Sequence, residues 1–336
     1  MPEMARRAVV LMNLGGPDSL AAVRPFLYNL FSDSAIIRLP AMLRVPLAWL
    51  IAARRAVIAR EIYAQLGGSS PLLANTQAQA RALEAELGAG YRCFVAMRYW
   101  HPLTASVVSA VKAWRPDEIV LLPLYPQFST TTTASSLAAW RREATRQGLG
   151  GVTRAIRSYP AVGGFIAALA ASITGALDKA TAEGTAVRLL FSAHGLPLKI
   201  VRAGDPYPHE VEETAAAVVR ALGRPELDWL VCYQSRVGPL AWLGPSIEDE
   251  LCRAGRDGVG VVVAPISFVS EHSETLVELD RDYRRLAESC GVPAYRRVAT
   301  VGTDWRFINA LADLVRGAPR PATPAEKTAA LCGTGT

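Results

Sequence analysis

Short, mainly apolar runs recur along the chain, and glycine, proline or polar residues bound each of them. Runs of this kind are typical of strands that are buried on both faces of a parallel sheet. We therefore predict eight strands, at Ala8–Leu14, Tyr91–Arg98, Glu118–Tyr125, Val152–Tyr159, Val187–Ala193, Asp228–Gln234, Val259–Ile266 and Ala294–Val298.

Longer segments with apolar residues at helical spacing separate these runs. The predicted helices include Thr76–Leu87, Ala105–Trp114, Ser135–Arg146, Val162–Lys179, Glu210–Leu222, Thr275–Glu288 and Asp304–Val315. Strands that alternate with helix-length connections form βαβ units, and these give parallel sheets. The pattern favours an α/β fold with two four-stranded parallel sheets, each flanked by helices.

A weak internal repeat supports two similar halves. Ile119–Trp140 and Val261–Asp280 share one plan, in which an apolar strand is followed by a proline, a mixed loop and the start of a helix. Pro123 and Pro265 occupy equivalent positions in the two copies. The loops then differ, because threonines fill the first copy where a histidine and a glutamate stand in the second.

The repeat suggests a division of the chain into two domains. We expect residues 1–160 to form the first domain and residues 161–303 the second, with the boundary near Pro160. The last helix, at 304–318, is expected to return to the first domain, and residues 319–336 form a tail.

Residues 34–53 are strongly apolar but are interrupted by arginines and prolines. The longest uncharged run is about nine residues, which is too short to span a bilayer. Two interpretations remain open: a pair of core helices, or an apolar lip at residues 34–63 that covers a large ligand and also contacts lipid. Trp49 and the arginines at 54, 55 and 60 favour the lip.

The overall composition is that of a well-folded chain, because 51% of the 336 residues are hydrophobic and 20% are charged. The net charge of +6 is spread along the sequence, with no long basic block, so nucleic acid is not an expected partner. A membrane surface or an acidic small molecule fits this charge equally well.

The five cysteines show no C-x-x-C spacing, which argues against a disulfide framework or a zinc knuckle and favours a reducing compartment. The apolar run near the N-terminus is too short for a signal peptide and is predicted as the first strand. We find no segment that approaches the roughly twenty apolar residues of a membrane-spanning helix.

His194 directly follows the predicted strand Val187–Ala193 and precedes Gly195 and Pro197. Ligands of open α/β sheets bind beyond the carboxyl ends of the strands, where an imidazole can accept a proton or bind a metal. A single histidine at such a position is more often a loop cap than a catalyst. The interpretation therefore depends on a second ionisable cluster.

That second cluster lies at Glu271 to Asp282. His272 and Glu274 follow an apolar strand, and Glu274, Glu278 and Asp282 recur at a spacing of four residues, which lines up carboxylates on one helix face. A solvated acidic face is the common explanation. The alternative is a path for protons or for a divalent cation, because carboxylates and imidazole together suit first-row metals.

Further candidates lie at other strand ends and loops. Leu14 belongs to a glycine-containing turn after the first strand, which matches no nucleotide-binding motif. Arg98 and Tyr99 end the second strand and can contact an anion or a ring edge. Four residues can hold carboxylates at a pocket rim, although such arginines are often merely solvated: Arg54, Arg55, Tyr63 and Ser70.

These stretches together resemble the ferrochelatases, enzymes that insert ferrous iron into a porphyrin to make haem. The resemblance covers nearly the whole chain. It rests on MNLGGP (12–17), FLYNLFSD (26–33), QLGGSSPL (65–72), RYWHPLT (98–104), LPLYPQFSTTTTASS (122–136), FSAHGLP (191–197), CYQSRVGPLAWLGPS (232–246) and PISFVSEHSETLVELD (265–280). It implies two similar Rossmann-like domains with a cleft between them.

The resemblance also implies residue roles. His194 matches the essential histidine, expected to abstract pyrrole protons or to bind iron transiently, and Glu274 with His272 matches the second essential site. The set expected to handle the metal is His194, Glu274, Glu278 and Asp282. The set expected to bind substrate is Leu14, Arg54, Arg55, Tyr63, Ser70, Arg98, Tyr99 and Trp242.

The substrates implied are Fe²⁺ and protoporphyrin IX, without ATP; the Asn13–Leu14 pair resembles the branch that uses protoporphyrin rather than coproporphyrin. Some relatives carry a [2Fe–2S] cluster near the C-terminus, but the tail here has only Cys332, so we expect no cluster. We expect a bacterial cytoplasmic enzyme that rests on the inner membrane. The alternatives are a chelatase for another metal or tetrapyrrole, such as cobalt or coproporphyrin, and a non-catalytic haem or porphyrin carrier.

Overall fold

The computed structural model describes residues 5–184, 186–236, 238 and 240–317. Within these residues the chain forms two four-stranded parallel sheets flanked by helices, as the pattern predicts. The strands are β1 (Arg7–Asn13), β2 (Tyr91–Met97), β3 (Glu118–Pro123), β4 (Val152–Ala155), β5 (Val187–His194), β6 (Asp228–Gln234), β7 (Gly260–Pro265) and β8 (Tyr295–Arg297).

The helices connect successive strands. They are α1 (Val23–Phe31), α2 (Ala41–Ala64), α3 (Leu72–Leu87), α4 (Thr104–Trp114), α5 (Thr133–Arg146), α6 (Gly163–Ala182), α7 (Leu198–Arg202), α8 (Tyr207–Leu222), α9 (Ile247–Asp257), α10 (Tyr283–Ser289) and α11 (Trp305–Gly317). A π-helix at Glu274–Asp282 leads directly into α10.

The two sheets repeat one topology. The strand order is β2-β1-β3-β4 in the first sheet and β6-β5-β7-β8 in the second. Met12 pairs with Pro123 at the end of β3, and Ser192 pairs with Pro265 at the end of β7. Two residues beyond these pairs stand Leu14 and His194, so the repeat places them at equivalent strand ends.

The central strands are buried on both faces, which explains their continuous apolar runs. Every residue of β7 is buried, and β5 is buried from Arg188 to Ala193. The strand ends therefore stand on a rigid scaffold, and the residues that follow them inherit fixed positions.

Buried amides join the two halves of the chain. Gln79 of α3 donates from Nε2 to the Val269 carbonyl at 2.8 Å and to the Gly302 carbonyl at 2.9 Å. Gln127 donates to Thr214 Oγ1 at 2.9 Å and to the Ile266 carbonyl at 3.1 Å. Such buried bonds fix the relative position of the two sheets, because breaking them leaves polar groups without partners.

The last helix, α11, packs against both α3 and α6, and Arg154 donates to the Val315 carbonyl near its end at 2.9 Å. The division of the chain near residue 160 and the return of 304–318 to the first domain stay predictions. Residue 318, the tail at 319–336 and Cys332 lie outside the described residues.

One expectation about membrane-spanning length is wrong. Helix α6 is 20 residues long and apolar enough to cross a membrane by length and composition. Its side chains, such as Phe165 and Leu169, are buried against α8 and α11. The helix owes its apolar character to packing inside this fold.

The expectation drawn from the cysteine spacing, which argued against disulfides, is also wrong. Cys252 and Cys290 form a disulfide, while Cys93 and Cys232 are free. The partners are 38 residues apart and meet because the end of α10 packs on α9. Gly255 permits this contact, since a Cβ there would overlap the Cys290 carbonyl. A disulfide between two packed helices produces no characteristic local spacing of cysteines in the sequence.

Candidate active site

A histidine and a glutamate from distant parts of the chain meet at the carboxyl end of the second sheet. His194 is the last residue of β5, and Glu274 is the first residue of the π-helix. Nδ1 of His194 lies 3.0 Å from Oε2 of Glu274. Their side chains are 39% and 28% exposed, so the pair lies at a surface open to a ligand.

This contact determines the tautomer of His194. A carboxylate only accepts hydrogen bonds, so Nδ1 of His194 carries a proton and donates it to Glu274. In the neutral imidazole, Nε2 then holds the lone pair. The arrangement leaves one nitrogen free to accept a proton or to bind a metal.

His272 also approaches the Glu274 carboxylate. Its Nε2 is 3.7 Å from Oε2 of Glu274, and its Nδ1 is 3.0 Å from the Ser270 carbonyl. Because a carbonyl only accepts, Nδ1 of His272 is the donor. Nε2 is therefore the nitrogen that faces Glu274, and both imidazoles approach the same carboxylate oxygen, Oε2.

The electrostatics of the site separate the pKa values of its members. Burial lowers the pKa of His194, but the Glu274 carboxylate outweighs it and raises that pKa above its ordinary value. Burial alone would raise the pKa of Glu274, yet His194 and His272 together hold it well below its usual range. The carboxylate thus stays ionised and increases the basicity of His194.

Glu278 stands one turn further along the π-helix. Its carboxylate accepts hydrogen bonds from Ser235 Oγ at 2.6 Å, from the Ser235 amide at 3.0 Å and from the Tyr283 hydroxyl at 2.8 Å. Burial and the nearby Glu274 carboxylate raise the pKa of Glu278. A partly buried acid with a raised pKa can hold a proton close to the His194–Glu274 pair.

The third acidic residue of the series lies apart from this cluster. Asp282 is exposed at the end of the π-helix, whereas Glu274 and Glu278 face protein groups. In the part of the chain that the structure describes, no three His, Cys, Asp or Glu side chains are grouped as a metal site. The metal roles of His194, Glu274, Glu278 and Asp282 stay predictions.

Helix α2 brings residues from the N-terminal half of the chain to the site. Burial raises the pKa of Tyr63 to about 12; the Ser273 hydroxyl lowers it, and the Glu274 carboxylate raises it further. Partial burial lowers the pKa of Arg55, while the same carboxylate raises it. Arg281 of the π-helix also donates to Gln65 Oε1 at 2.6 Å. These contacts place α2 alongside the His194–Glu274 pair.

The other two rim candidates are Arg54 and Ser70. Arg54 is exposed on α2, and Ser70 stands in the loop before α3. The Ser70 amide donates to the Pro17 carbonyl at 2.8 Å, and a Cβ on Gly16 would overlap the Ser70 hydroxyl. Gly16 is therefore needed for the loop after β1 to approach Ser70.

Leu14, Tyr63 and Tyr99 share one apolar cluster beneath α2. Tyr99 is almost fully buried, and its ring stacks beneath the guanidinium of Arg98 at 4.8 Å. The equivalent strand end in the second sheet carries His194. The first sheet thus offers an apolar wall where the second offers ionisable groups.

Asp33 organises this wall, although it was not among the predicted site residues. Its Oδ2 accepts hydrogen bonds from Arg98 at 2.6 Å, from the Tyr99 hydroxyl at 2.8 Å and from the Ser135 hydroxyl. These attractions outweigh burial and lower the pKa of Asp33. Asp33 ends the FLYNLFSD stretch (26–33), but its partners lie more than sixty residues away, so that stretch alone did not reveal these contacts.

Trp242 lies near the His194 strand end. Its ring packs beside Gly195, and its backbone pairs with Pro197. The indole nitrogen is buried without a partner among the described residues. The substrate-binding role of Trp242 and of the other residues of that set stays a prediction.

Comparison with known proteins decides the family. Residues 6–318 match the sequence profile of the family described as Ferrochelatase. The chain is 56% identical over 314 residues to the ferrochelatase of Caulobacter vibrioides strain NA1000, covering 92% of this chain and 89% of the relative. The chain belongs to the ferrochelatase family.

A ferrochelatase from a Wolbachia of Drosophila simulans is 50% identical over 318 residues, covering 94% of this chain and 100% of the relative. This agreement extends over both sheets. The resemblance drawn from the sequence motifs is therefore confirmed, and the chain is a metal chelatase of haem formation.

Solved structures support the fold independently. SirB from Bacillus subtilis with Fe³⁺ covers 93% of this chain and 94% of its own, with a TM-score of 0.56 at 11% identity. DR2241 from Deinococcus radiodurans, described as similar to chelatases, covers 98% of this chain and 60% of its own, with a TM-score of 0.50 at 17% identity. The predicted pair of Rossmann-like domains is confirmed.

Proposed function

We propose that this ferrochelatase inserts Fe²⁺ into protoporphyrin IX with His194 as the base that accepts the pyrrole protons. In the overall reaction the porphyrin loses two N–H protons and gains one Fe²⁺, so charge is conserved and the iron keeps its oxidation state; we assign the reaction no requirement for ATP. The observation that carries this proposal is the 3.0 Å contact between His194 Nδ1 and Glu274, which leaves Nε2 as the free nitrogen.

The proton acceptor needs a pKa near the working pH. The ionised Glu274 raises the pKa of His194 and stabilises the imidazolium that forms after proton transfer. Transient binding of iron at Nε2 is the competing role of the same nitrogen. Both roles require His194 to be neutral at the start.

Glu274, His272 and Glu278 then form a route away from the base. Gln234 links two of them, because its Nε2 lies 3.3 Å from the backbone carbonyl oxygen of Glu274 and 3.2 Å from Oε2 of Glu278. Protons can leave along this row of groups, or iron can approach along it. Asp282 is assigned the outer, solvent-facing position of the row.

The porphyrin is assigned to the space between the two strand ends. Leu14, Arg98 and Tyr99 form the wall opposite His194, and Trp242 lies beside the His194 turn. The two propionates are assigned to Tyr63 and Arg55, with Ser70 and Arg54 further along the rim. These groups provide two positions for carboxylates beside an apolar wall. This arrangement favours protoporphyrin, which carries two carboxylates, over coproporphyrin, which carries four.

The lip is assigned to lipid contact. Helix α2 buries only Ala48, Ala52, Ala56 and Tyr63, so the interpretation as a pair of core helices is wrong. Its exposed apolar side chains are Met42, Leu43, Val45, Trp49, Leu50, Val57 and Ile58. Apolar groups flanked by arginines are typical of helices that lie in a membrane interface. We assign the enzyme to the cytoplasmic face of the inner membrane.

An anaerobic assay of the purified protein tests this function. Fe²⁺ is offered with protoporphyrin IX or with coproporphyrin, and the metalloporphyrin is measured by its absorption. We expect kcat/KM for protoporphyrin to exceed that for coproporphyrin by about tenfold or more. A preference for coproporphyrin, or for Co²⁺ over Fe²⁺, would instead support the other chelatase activities.

A non-catalytic porphyrin carrier is the alternative from another class. Binding alone requires an apolar slot and not a base that is paired with an ionised carboxylate. The same assay separates the two, because a carrier would bind protoporphyrin without forming haem.

A further inference from the structure

Arg297 is a buried arginine of β8 that contacts two carboxylates at once. Its side chain is 9% exposed. Nε lies 2.8 Å from Asp280 Oδ1, and Nη2 lies 2.5 Å from Asp280 Oδ2. Nη1 lies 2.6 Å from Glu271 Oε1. The planar guanidinium makes a bidentate contact with Asp280 and a third hydrogen bond to Glu271. The single ammonium group of lysine cannot reproduce this geometry.

The two carboxylates flank the candidate acid–base residues. Glu271 precedes Glu274 by three residues, and Asp280 follows Glu278 by two within the π-helix. Arg297 therefore holds both ends of the segment 271–280. It contacts neither His194 nor Glu274 itself.

Other groups of the same region support the clamp. The Thr300 amide donates to Glu271 Oε1 at 2.9 Å, and the Tyr295 hydroxyl donates to the Leu279 carbonyl at 2.7 Å. A π-helix is rare and is found mostly as a short element at functional sites. The geometry of the π-helix depends here on residues outside it. Among the β8 residues that contact the π-helix, Arg297 is the charged one.

We propose that Arg297 is a positioning residue for iron insertion: its bonds to Glu271 and Asp280 hold Glu274 at hydrogen-bonding distance from His194. The inference rests on the proposed roles of His194 and Glu274. Without the guanidinium, two partly buried carboxylates repel each other and the segment between them shifts. Glu274 then orients the imidazole less well, which slows the chemical step but leaves the porphyrin wall intact.

The chain offers a matched control in Arg188. This arginine also has a buried side chain with two carboxylate partners, Asp228 at 2.7 Å and Asp257 at 2.9 Å. It stands near the start of β5, whereas His194 ends that strand. Arg188 thus also pairs with two carboxylates, at the opposite end of the strands from the candidate site, although these carboxylates are more exposed, at 50% and 43%, than those of Arg297.

The test compares Arg297→Met with Arg188→Met in the full-length enzyme. Anaerobic insertion of Fe²⁺ gives kcat and KM for protoporphyrin, and thermal unfolding gives Tm. For Arg297→Met we expect kcat to fall about tenfold or more with KM changed less than about threefold. For Arg188→Met we expect a loss of Tm no larger than that of Arg297→Met, because its carboxylate partners are more exposed, and kcat within about twofold of wild type. Equal kcat values for the two variants would overturn the inference.

A double-mutant cycle with Glu274→Gln tests whether Arg297 acts through Glu274. In that background, Arg297→Met should lower the single-turnover rate by less than about twofold. A full tenfold effect in both backgrounds would contradict the assigned route. Wild-type turnover in Glu274→Gln would reject the proposed function itself, whereas a slow Glu274→Gln beside an unaffected Arg297→Met rejects only this inference.

Two milder variants keep the test decisive if Arg297→Met fails to fold. Glu271→Gln and Asp280→Asn each weaken one arm of the clamp and retain the buried cation. We expect each to lower kcat about threefold with KM unchanged. Wild-type kcat in both variants would overturn the proposal.

Discussion

His194 and Glu274 lie 3.0 Å apart, and this contact sets which imidazole nitrogen carries a proton. The carboxylate is held ionised by two imidazoles, and it raises the pKa of His194 against the opposing effect of burial. A base of this kind becomes protonated, and so inactive, when the pH falls through its raised pKa. The acid side of the pH–rate profile therefore reports on His194.

Glu274→Gln should move that acid limb. The glutamine amide still accepts the Nδ1 hydrogen bond but no longer attracts the imidazolium, so the pKa of His194 falls. We expect the acid limb of kcat/KM to shift to lower pH while the plateau rate drops about tenfold or more. The measurement is kcat/KM for protoporphyrin as a function of pH. A limb that stays in place, or moves to higher pH, would show that Glu274 does not set this pKa.

At the scale of elements, the strands could be predicted because buried parallel strands carry unbroken apolar runs. Helix α2 was harder, since apolar side chains on a helix normally indicate a core, and here Met42 and Trp49 are 87% and 57% exposed. The π-helix was predicted as an ordinary α-helix, because its acidic residues at four-residue spacing fit both forms.

Exposed apolar residues on α2 should carry membrane binding. Trp49→Glu combined with Leu50→Glu places two charges on this surface, so we expect liposome flotation to be lost. Trp305→Glu is the matched control, because Trp305 is also exposed and also lies beneath an arginine. Flotation that persists in the double variant, or is lost equally in the control, would argue against a lipid-binding role for α2.

At the scale of the whole molecule, function depends on a fixed relative position of the two halves of the chain. The amide of Gln79 is fully buried and bonds to Val269, Gly302 and Ser270 of the other half. No sequence pattern marks these contacts, since the partners are about 190 to 220 residues away. The Asp33 network and the disulfide were missed for the same reason, whereas the strand-end histidine was found because its motif is local.

Gln79→Leu should therefore destabilise the protein strongly. The substitution leaves two carbonyls and a hydroxyl without partners, so we expect the free energy of unfolding to fall by about 3 kcal/mol. Urea unfolding measures it by linear extrapolation. Gln147→Leu is the control, since Gln147 makes similar amide bonds near the surface, where water can replace them. Equal losses in both variants would show that the contacts of Gln79 do not hold the halves together.

The most direct test of the account is single-turnover iron insertion by His194→Ala, with His209→Ala, at an exposed position of α8, as the control. Fluorescence first shows whether protoporphyrin binds, and rapid mixing with Fe²⁺ then gives the rate of haem formation. We predict that His194→Ala binds protoporphyrin with near wild-type affinity and inserts iron at least about 100-fold more slowly, whereas His209→Ala behaves as wild type. A near-normal insertion rate in His194→Ala would contradict the assignment of this imidazole as the base.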